Sequence, residues 1–140
     1  MKKTFDMRFI RYINMFERVT RVSPKHCFEY NNMLVFIVPH KFVMMAIGRN
    51  NSNLEQLSNI FSKRIRILAE PRSQNDIQEF ILRLISPVKF DKLELKDGEL
   101  TITSGGMESK AMLIGRNKVR LEELKNILSQ NFDVKDVRIA

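Results

Sequence analysis

One short stretch of this 140-residue chain occurs twice. The segments MMAIGRNNSNLEQLSNIF, from Met44, and AMLIGRNKVRLEELKNIL, from Ala111, share the tetrad Ile-Gly-Arg-Asn. An apolar run precedes each tetrad, and a Leu-x-x-Leu pattern follows it. Gly48 and Gly115 of the two tetrads are 67 residues apart (115 − 48), which is about half of the chain. We interpret the repeat as an internal duplication, which restricts the chain to two copies of one folding unit.

The two copies also begin alike. Each opens with apolar residues at the spacing of an amphipathic helix: Phe9, Tyr12, Ile13 and Phe16 in the first copy, and Ile77, Phe80, Ile81 and Leu84 in the second. The second of these helices is preceded by Ser73 with Asp76 three residues later, which is an N-cap signature.

A hairpin is predicted next in each copy. Alternating or continuous apolar residues flank Asn31-Asn32 in the first copy and Asp97-Gly98 in the second. Asp-Gly is a strong signal for a two-residue hairpin turn, and Asn-Asn can reach the required positive φ at some cost.

Two helices and a closing strand complete each copy. The helices are predicted at about 41–47 and 52–61 in the first copy and at about 108–114 and 119–131 in the second, with the tetrad between them. Alternation in RIRILAE and VKDVRIA predicts the closing strands. The predicted fold class is therefore α+β, with two units of order α-β-β-α-α-β at residues 1–70 and 71–140, joined by a short linker at Pro71.

Positive charge is unevenly distributed along the chain. Its composition, 44% hydrophobic and 29% charged, is typical of a folded protein. The net charge is +8; residues 1–70 hold 12 Lys/Arg against 5 Asp/Glu, or +7, and residues 71–140 hold 12 against 11, or +1. A polyanion such as nucleic acid is therefore the leading partner class. An acidic membrane surface is disfavoured, because no helix sets a Lys/Arg-rich face against a broad apolar one.

The sequence gives little support for an exported or membrane-spanning protein, or for an enzyme. Cys27 is the only cysteine, so no intrachain disulfide can form, and we expect a cytoplasmic monomer. The longest apolar runs have six residues, too few for an export signal or a membrane span. Without a Gly-Lys-Ser/Thr motif or metal-ligand spacing, we expect no enzyme activity, no metal and no cofactor. The eight methionines are interpreted as core residues.

The repeated tetrad has the composition of a phosphate-binding turn. Gly48 and Gly115 allow close backbone approach or a positive φ, and the helix that follows presents unpaired N–H groups with partial positive charge. Donor side chains follow each glycine: Arg49, Asn50 and Asn51 in the first loop, and Arg116, Asn117 and Lys118 in the second. One isolated tetrad could be a helix C-cap glycine with solvated neighbours, but that alternative leaves arginine at the same place in both loops unexplained.

This arrangement resembles the type II K homology (KH) domain, in which a Gly-x-x-Gly loop clamps the backbone of about four unpaired nucleotides. Two such modules in tandem resemble the archaeal NusA-like proteins, and the stretches RYINMFERVT, HCF and FILRLISPVKF support this over roughly residues 5–139. The resemblance implies two tandem type II KH domains, each a three-stranded sheet with helices packed on one face. It also implies binding of single-stranded RNA in transcription termination or antitermination, with RNA polymerase or other transcription factors as further partners.

The loops depart from the family pattern at one position. Where the second glycine is expected, the first loop has Asn51 and the second has Lys118. If this position is right-handed, both residues are tolerated and Lys118 becomes a further phosphate contact. If its backbone must lie against a ribose, the added side chains obstruct RNA.

Carried onto this chain, the resemblance implies close backbone approach at the two glycines and RNA contacts from the residues around them. These residues are Gly48, Arg49, Asn50, Gly115, Arg116 and Asn117 in the loops; Asn51, Asn53, Lys118 and Arg120 at the start of the next helix; and Ile47 and Ile114 as an apolar edge. Specificity would come from the groove beside the closing strand. The candidates there are Arg64, Arg66, Lys135 and Arg138, for which a solvated strand face is the alternative, as core contacts are for the two isoleucines.

A protein-interaction module is the competing class. Loops without the second glycine could have lost RNA affinity, leaving a KH pair that docks on RNA polymerase or a ribosomal component. The second copy carries the acidic residues that would suit such a role: Asp91, Glu94, Glu99, Glu108, Glu122 and Glu123. A mixed arrangement, with the first copy toward RNA and the second toward a protein, fits the division of charge better than two equivalent RNA sites.

Overall fold

The computed structural model describes residues 7–140. These residues form two compact units, divided between Glu70 and Pro71. Each unit has the predicted order of a helix, two strands, two helices and a third strand. Within the described range, no helix is long and apolar enough to cross a membrane.

Six helices and six strands make up the two units. The first contains α1 (Ile10–Thr20), β1 (His26–Tyr30), β2 (Met33–Val38), α2 (Val43–Ile47), α3 (Ser52–Phe61) and β3 (Arg64–Ala69). The second contains α4 (Ile77–Ile85), β4 (Phe90–Lys96), β5 (Glu99–Ser104), α5 (Met107–Ile114), α6 (Val119–Asn131) and β6 (Asp136–Ile139). Short 3-10 turns precede most helices, and those at Arg49–Asn51 and Arg116–Lys118 contain the repeated tetrad residues.

The two sheets have the same topology. In each, the first two strands form an antiparallel hairpin and the third pairs in parallel with the second. The hairpin turns adopt the positive φ predicted for them, 52° and 60° at Asn31 and Asn32, and 53° and 83° at Asp97 and Gly98. A parallel third strand requires a crossover, and the two helices that flank each tetrad supply it.

The core of the first unit lies between its helices and one face of its sheet. Leu34, Phe36 and Val38 alternate along β2 and point toward the helices, where Phe16 of α1 and Leu57 of α3 meet them. The rings of Phe16 and Phe36 stack with centroids 4.2 Å apart. The apolar residues that recur at helical spacing in α1 therefore pack against the apolar residues that alternate along β2.

The other face of the first sheet is buried as well. The strand register pairs His26 with Ile37 and Phe28 with Val35 on this side, and its apolar residues are at most 9% exposed: Phe28, Tyr30, Met33, Val35, Ile37 and Leu68. In the second sheet, β4 instead presents exposed charged side chains: Lys92, Glu94 and Lys96. The two units thus share a topology but differ in the chemistry of this face.

The second unit begins with the helix cap that its sequence predicts. Ser73 Oγ accepts a hydrogen bond from the backbone N of Asn75 at 3.2 Å, and Asp76 Oδ2 accepts one from the backbone N of Arg72 at 2.8 Å. Behind this cap, Phe80 of α4 packs edge-on against Phe132, with ring centroids 5.3 Å apart. The cap therefore sets the start of the helix whose apolar side enters the core.

Candidate nucleic-acid interface

The two tetrads form loops of nearly identical backbone. Gly48 lies at φ 83° and ψ 166°, and Gly115 at φ 76° and ψ 171°, a region that is essentially reserved for glycine. The third loop residue is left-handed in both copies, with φ 54° and ψ 37° at Asn50 and φ 54° and ψ 29° at Asn117. The duplication in sequence is therefore also a duplication of local geometry.

Space as well as φ requires glycine at the first loop position. A Cβ on Gly48 would lie 2.9 Å from the backbone N of Asn53, and a Cβ on Gly115 would lie 2.9 Å from the backbone N of Arg120. Each glycine N–H also closes the preceding helix, donating to Met44 O at 3.1 Å and to Ala111 O at 2.9 Å. The glycine thus lies in direct contact with the first turn of the next helix.

The fourth loop position, where the family pattern has glycine, is left-handed. Asn51 has φ 62° and Lys118 has φ 61°, so the right-handed conformation that any residue tolerates is not adopted. Left-handed backbone costs an ordinary L residue about 1–2 kcal/mol, and asparagine less. The loops therefore keep a glycine-like backbone without the glycine, and both added side chains are exposed.

The helix after each loop begins without a side-chain cap. Neither Asn51 nor Lys118 accepts a hydrogen bond from α3 or α6 through its side chain, although Ser73 does so at the start of the second unit. Their own backbone N–H groups donate to the glycine carbonyls, Asn51 to Gly48 and Lys118 to Gly115, both at 3.2 Å. The first-turn N–H groups of these two helices retain a partial positive charge that favours phosphate.

The loop side chains are exposed and available to a ligand. Arg49 and Asn50 in the first loop, and Arg116 and Asn117 in the second, lie on the surface and form no ion pair with any residue between 7 and 140. Lys118 adds a second cation to the second loop, where the first has Asn51. Each loop thus combines helix N–H groups with at least one exposed, positively charged hydrogen-bond donor.

Asn53 and Arg120, implied as RNA contacts by the resemblance, have partners within their own units. Asn53 Nδ2 donates to Met45 O at 3.3 Å, which ties α3 to the last turn of α2. Arg120 Nη1 lies 2.6 Å from Glu123 Oε1, and the two side chains are only 18% and 25% exposed. The Asn53 hydrogen bond connects α2 with α3, whereas the Arg120–Glu123 ion pair lies within α6. The exposed loop residues lie outside these contacts.

Several methionines contradict the interpretation that methionines are core residues. Met44 and Met45 on α2 are 79% and 51% exposed, and Met112 on α5 is 52% exposed. Met45 and Met112 both stand three residues before the loop glycine. Aligning the two copies would have shown this shared position, which is the signal that the sequence interpretation missed.

The four basic strand candidates do not share one environment. Arg64 Nη2 donates to Asn31 O at 2.9 Å, at the turn of the first hairpin. Arg66 is half-buried, and burial, with a smaller contribution from the Arg64 guanidinium, lowers its pKa. The Lys135 side chain lies beside Gly98 at the second hairpin turn, while Arg138 is exposed on β6.

Cys27 is a partly buried free cysteine on β1. Burial, followed by the Glu29 carboxylate, raises the pKa of its thiol well above the usual range, so the reactive thiolate does not form near neutral pH. His26 lies on the opposite face of the sheet, because the register pairs it with Ile37 and pairs Cys27 with Phe36. Across residues 7–140, no three His, Cys, Asp or Glu side chains are grouped to hold a metal ion.

Similarity to known proteins extends over almost the whole chain, although no family model matches it. The chain is 21% identical over 142 residues to the "Probable transcription termination protein NusA" of Halococcus morrhuae, covering 100% of both chains. It is 23% identical to the protein of the same name from Thermoplasma acidophilum, covering 97% of this chain and 94% of the relative. The relative from Halobacterium salinarum is 19% identical, with 91% of each chain covered.

A solved structure is also similar to this chain over almost its whole length. The crystal structure of APE1850 superposes with a TM-score of 0.62 and 26% identity, covering 94% of this chain and 96% of that one. Two three-stranded sheets with helices, a duplicated helix–loop–helix and whole-chain similarity to several NusA proteins occur together in one molecule. On this combined ground, the chain is an archaeal NusA-like protein.

Proposed function

We propose that the chain is a single-stranded RNA-binding factor of transcription elongation or termination, and that two type II KH domains bind RNA through the Gly-Arg-Asn loops. The observation that carries the proposal is the shared loop backbone, with positive φ at the first, third and fourth positions of both loops. A Gly-x-x-Gly loop clamps about four nucleotides in KH domains. Here Asn51 and Lys118 keep the left-handed backbone that the second glycine would supply.

Phosphate binding follows from the chemistry of the loop. The uncapped N–H groups of α3 and α6 supply donors and partial positive charge, and a phosphate placed there accepts from them directly. Arg49 and Arg116 follow the glycines and add planar guanidinium groups, which bind phosphate through two parallel hydrogen bonds. Asn50 and Asn117 add neutral donors beside them.

Unpaired bases would lie next to the helix that precedes each loop. Met45 and Met112 expose polarisable thioether groups that pack well against aromatic rings. Ile47 and Ile114, which are half-buried, add apolar surface two residues nearer the end of each helix. Because a duplex hides the faces of its bases, this edge favours single-stranded RNA.

The names of the relatives support a place in transcription. Proteins from several archaea that align along the chain are named probable transcription termination proteins. RNA polymerase or other transcription factors are the protein partners we propose, for a monomer in the cytoplasm. The protein contributes binding groups in this proposal and no catalytic or metal chemistry.

Titration with single-stranded RNA tests the proposal. A labelled RNA of about 12 nucleotides, long enough for more than one KH loop, is compared with a duplex of the same sequence over a salt series. We expect the single strand to bind more tightly than the duplex. The double variant Arg49→Gln/Arg116→Gln should lose at least about tenfold in affinity, and its salt slope should fall by about 1.4, since each phosphate contact on a single strand contributes about 0.7.

A charge-matched variant separates the loops from net charge. Lys89→Gln/Lys96→Gln removes the same charge from exposed positions of the second unit, and we expect it to bind nearly as the native chain does. The proposal fails if binding is absent at low salt or indifferent to both loops. Docking on a protein would then be the function to test.

A further inference from the structure

A second basic surface lies on α1, outside the loops. Arg11, Arg18 and Arg21 recur at positions i, i+7 and i+10, with Asn14 between them, and all four are exposed. At 100° per residue, Arg11, Asn14 and Arg18 fall within an arc of about 60°, and Arg21 follows as the left-handed residue that ends α1. Phe16 on the opposite side is fully buried. We call Arg11, Arg18 and Arg21 the arginine stripe.

The stripe is not neutralised by neighbouring carboxylates. Within residues 7–140, none of its three guanidinium groups forms an ion pair. Glu17 is the only acidic residue of α1, and its carboxylate Oε1 accepts a hydrogen bond from Ser23 Oγ at 3.1 Å. Three like charges therefore face solvent along α1, two from the helix and one from Arg21 at its C-cap.

Helix stability does not account for the stripe. Arg18 and Arg21 suit the negative end of the helix dipole, but Arg11 is the second residue of α1, whose first turn has no acidic side chain. A cation at that end costs about 0.3–1 kcal/mol. The equivalent helix of the second unit shows the usual solution, with Glu79 in its first turn and Arg83 Nε donating to Glu79 Oε1 at 2.7 Å.

The Arg11 end of the stripe lies away from the loop of its own unit. Tyr12, the neighbour of Arg11, packs edge-on against Phe61 with ring centroids 4.9 Å apart. Phe61 is the last residue of α3, which places it about 14 Å along that helix from the loop. From Arg11 to Arg21 the stripe itself is about 15 Å long, a distance over which a stacked strand presents about four phosphates.

We propose that the arginine stripe of α1 binds the phosphate backbone of RNA that extends beyond the nucleotides held in the loops. The inference rests on the proposed function, because RNA held by a loop is present at high effective concentration for a second surface on the same chain. Unpaired guanidinium groups match regularly spaced phosphates and need no particular base sequence. The stripe accounts for three of the basic residues behind the +7 charge of the first half.

RNA length distinguishes the stripe from the loops. Oligouridines of about 6 nucleotides, sufficient for one loop, and of about 24 nucleotides, sufficient to reach a second surface, are titrated with native chain and with Arg11→Gln/Arg18→Gln/Arg21→Gln. We expect the triple variant to bind the short RNA as the native chain does. For the long RNA we expect the affinity to fall on the order of 100-fold at about 0.1 M salt. The slope of log affinity against log salt concentration should be smaller by about 2, which is the contribution of three phosphate contacts.

Two matched triple variants control for charge and fold. Lys89→Gln/Lys92→Gln/Lys96→Gln removes three exposed positive charges from the second unit, and Arg11→Lys/Arg18→Lys/Arg21→Lys keeps the charge of the stripe. Both should retain the affinity for long RNA within a few-fold, and the lysine-stripe variant should keep the native salt slope. Circular dichroism and thermal unfolding establish that each variant is folded.

The outcomes for stripe and loops are distinguishable. An equal loss in the Lys89/Lys92/Lys96 variant would assign the effect to net charge and overturn the inference. Undiminished binding of long RNA by the Arg→Gln stripe variant would also overturn it, and would point to an acidic protein surface as the occupant. Failure of the native chain to bind the short RNA, with no effect of Arg49→Gln/Arg116→Gln, would instead contradict the proposed function of the loops.

Discussion

Lys118 and Asn51 hold the same left-handed backbone with different side chains. In this region the Cβ of an L residue crowds the following carbonyl oxygen, and asparagine compensates in part through local hydrogen bonds. Lysine has no such compensation. The second loop therefore stores more backbone strain than the first, at the position where the family pattern has glycine.

Replacing Lys118 by glycine should stabilise the protein. Relief of the left-handed strain should raise the free energy of unfolding by about 1–2 kcal/mol. The greater chain entropy of glycine in the unfolded state should lower it by about 0.5–1 kcal/mol. We expect a net gain of about 0.5–1 kcal/mol for Lys118→Gly in urea unfolding, and a change below about 0.5 kcal/mol for the matched Asn51→Gly. A loss of stability in Lys118→Gly would show that the lysine side chain stabilises the loop by more than its backbone costs.

The repeated loops could be singled out from sequence as candidate sites, but their conformations could not be predicted. Gly48 and Gly115 stand out because the tetrad is duplicated, and glycine suits a tight turn whatever its handedness. Asn51 and Lys118 are compatible with right- or left-handed backbone, so their φ values depend on how closely α3 and α6 pack on the glycines. The burial of Arg66, by contrast, depends on tertiary packing around β3, which strand alternation alone does not give.

At the scale of elements, the helix–loop–helix is held together at the glycine. An added Cβ at Gly115 would lie 2.8 Å from Arg120 Cβ and 2.9 Å from Arg120 N. Real Cβ atoms do not approach backbone atoms so closely, so α6 would have to shift away from α5. The same reasoning applies to Gly48, where an added Cβ would lie 2.6 Å from Ser52 Oγ.

Gly115→Ala should therefore destabilise the second unit. The φ and ψ of Gly115 are strained for any other residue by about 1–3 kcal/mol, and the contact with Arg120 adds to this. Gly106→Ala is the control, because that glycine has extended backbone and no atom within 4 Å of its Cβ; we expect it to be neutral or slightly stabilising. Urea unfolding monitored by circular dichroism measures both, and an unchanged Gly115→Ala would mean that the two helices are not fixed by this contact.

Element types and order were predictable because burial imposes a period on the sequence. The apolar spacing of α1 and α4 and the alternation in β3 and β6 each mark one buried side. The 3-10 turn at His40–Phe42 was not separated from α2, since i→i+3 closure depends on local carbonyl geometry. The burial of both faces of β2 was also not predicted, although the unbroken run MLVFIV is what such a strand requires.

At the scale of the whole molecule, the excess positive charge lies in the first half of the chain, whereas the loop with more positive charge lies in the second half. The first half carries most of the excess positive charge, yet its loop has the single cation Arg49 where the second loop has Arg116 and Lys118. Exposed charges are screened over about 8 Å at physiological salt and over about 30 Å at 0.01 M. At physiological salt, then, a charge in the loop should matter more for RNA than a charge elsewhere in the same unit.

Asn51→Lys and Asn59→Lys test that statement with one charge placed either in the loop, just before α3, or near the other end of that helix. Lys118 shows that lysine fits the loop position, and Asn59 is exposed about 12 Å further along the helix. We expect Asn51→Lys to raise affinity for a short oligouridine about fivefold near 0.1 M salt, the worth of one phosphate contact. Asn59→Lys should change it less than about twofold, and the two variants should converge at low salt as screening weakens. Equal gains near 0.1 M would mean that the field of the whole molecule, and not the loop, determines the affinity.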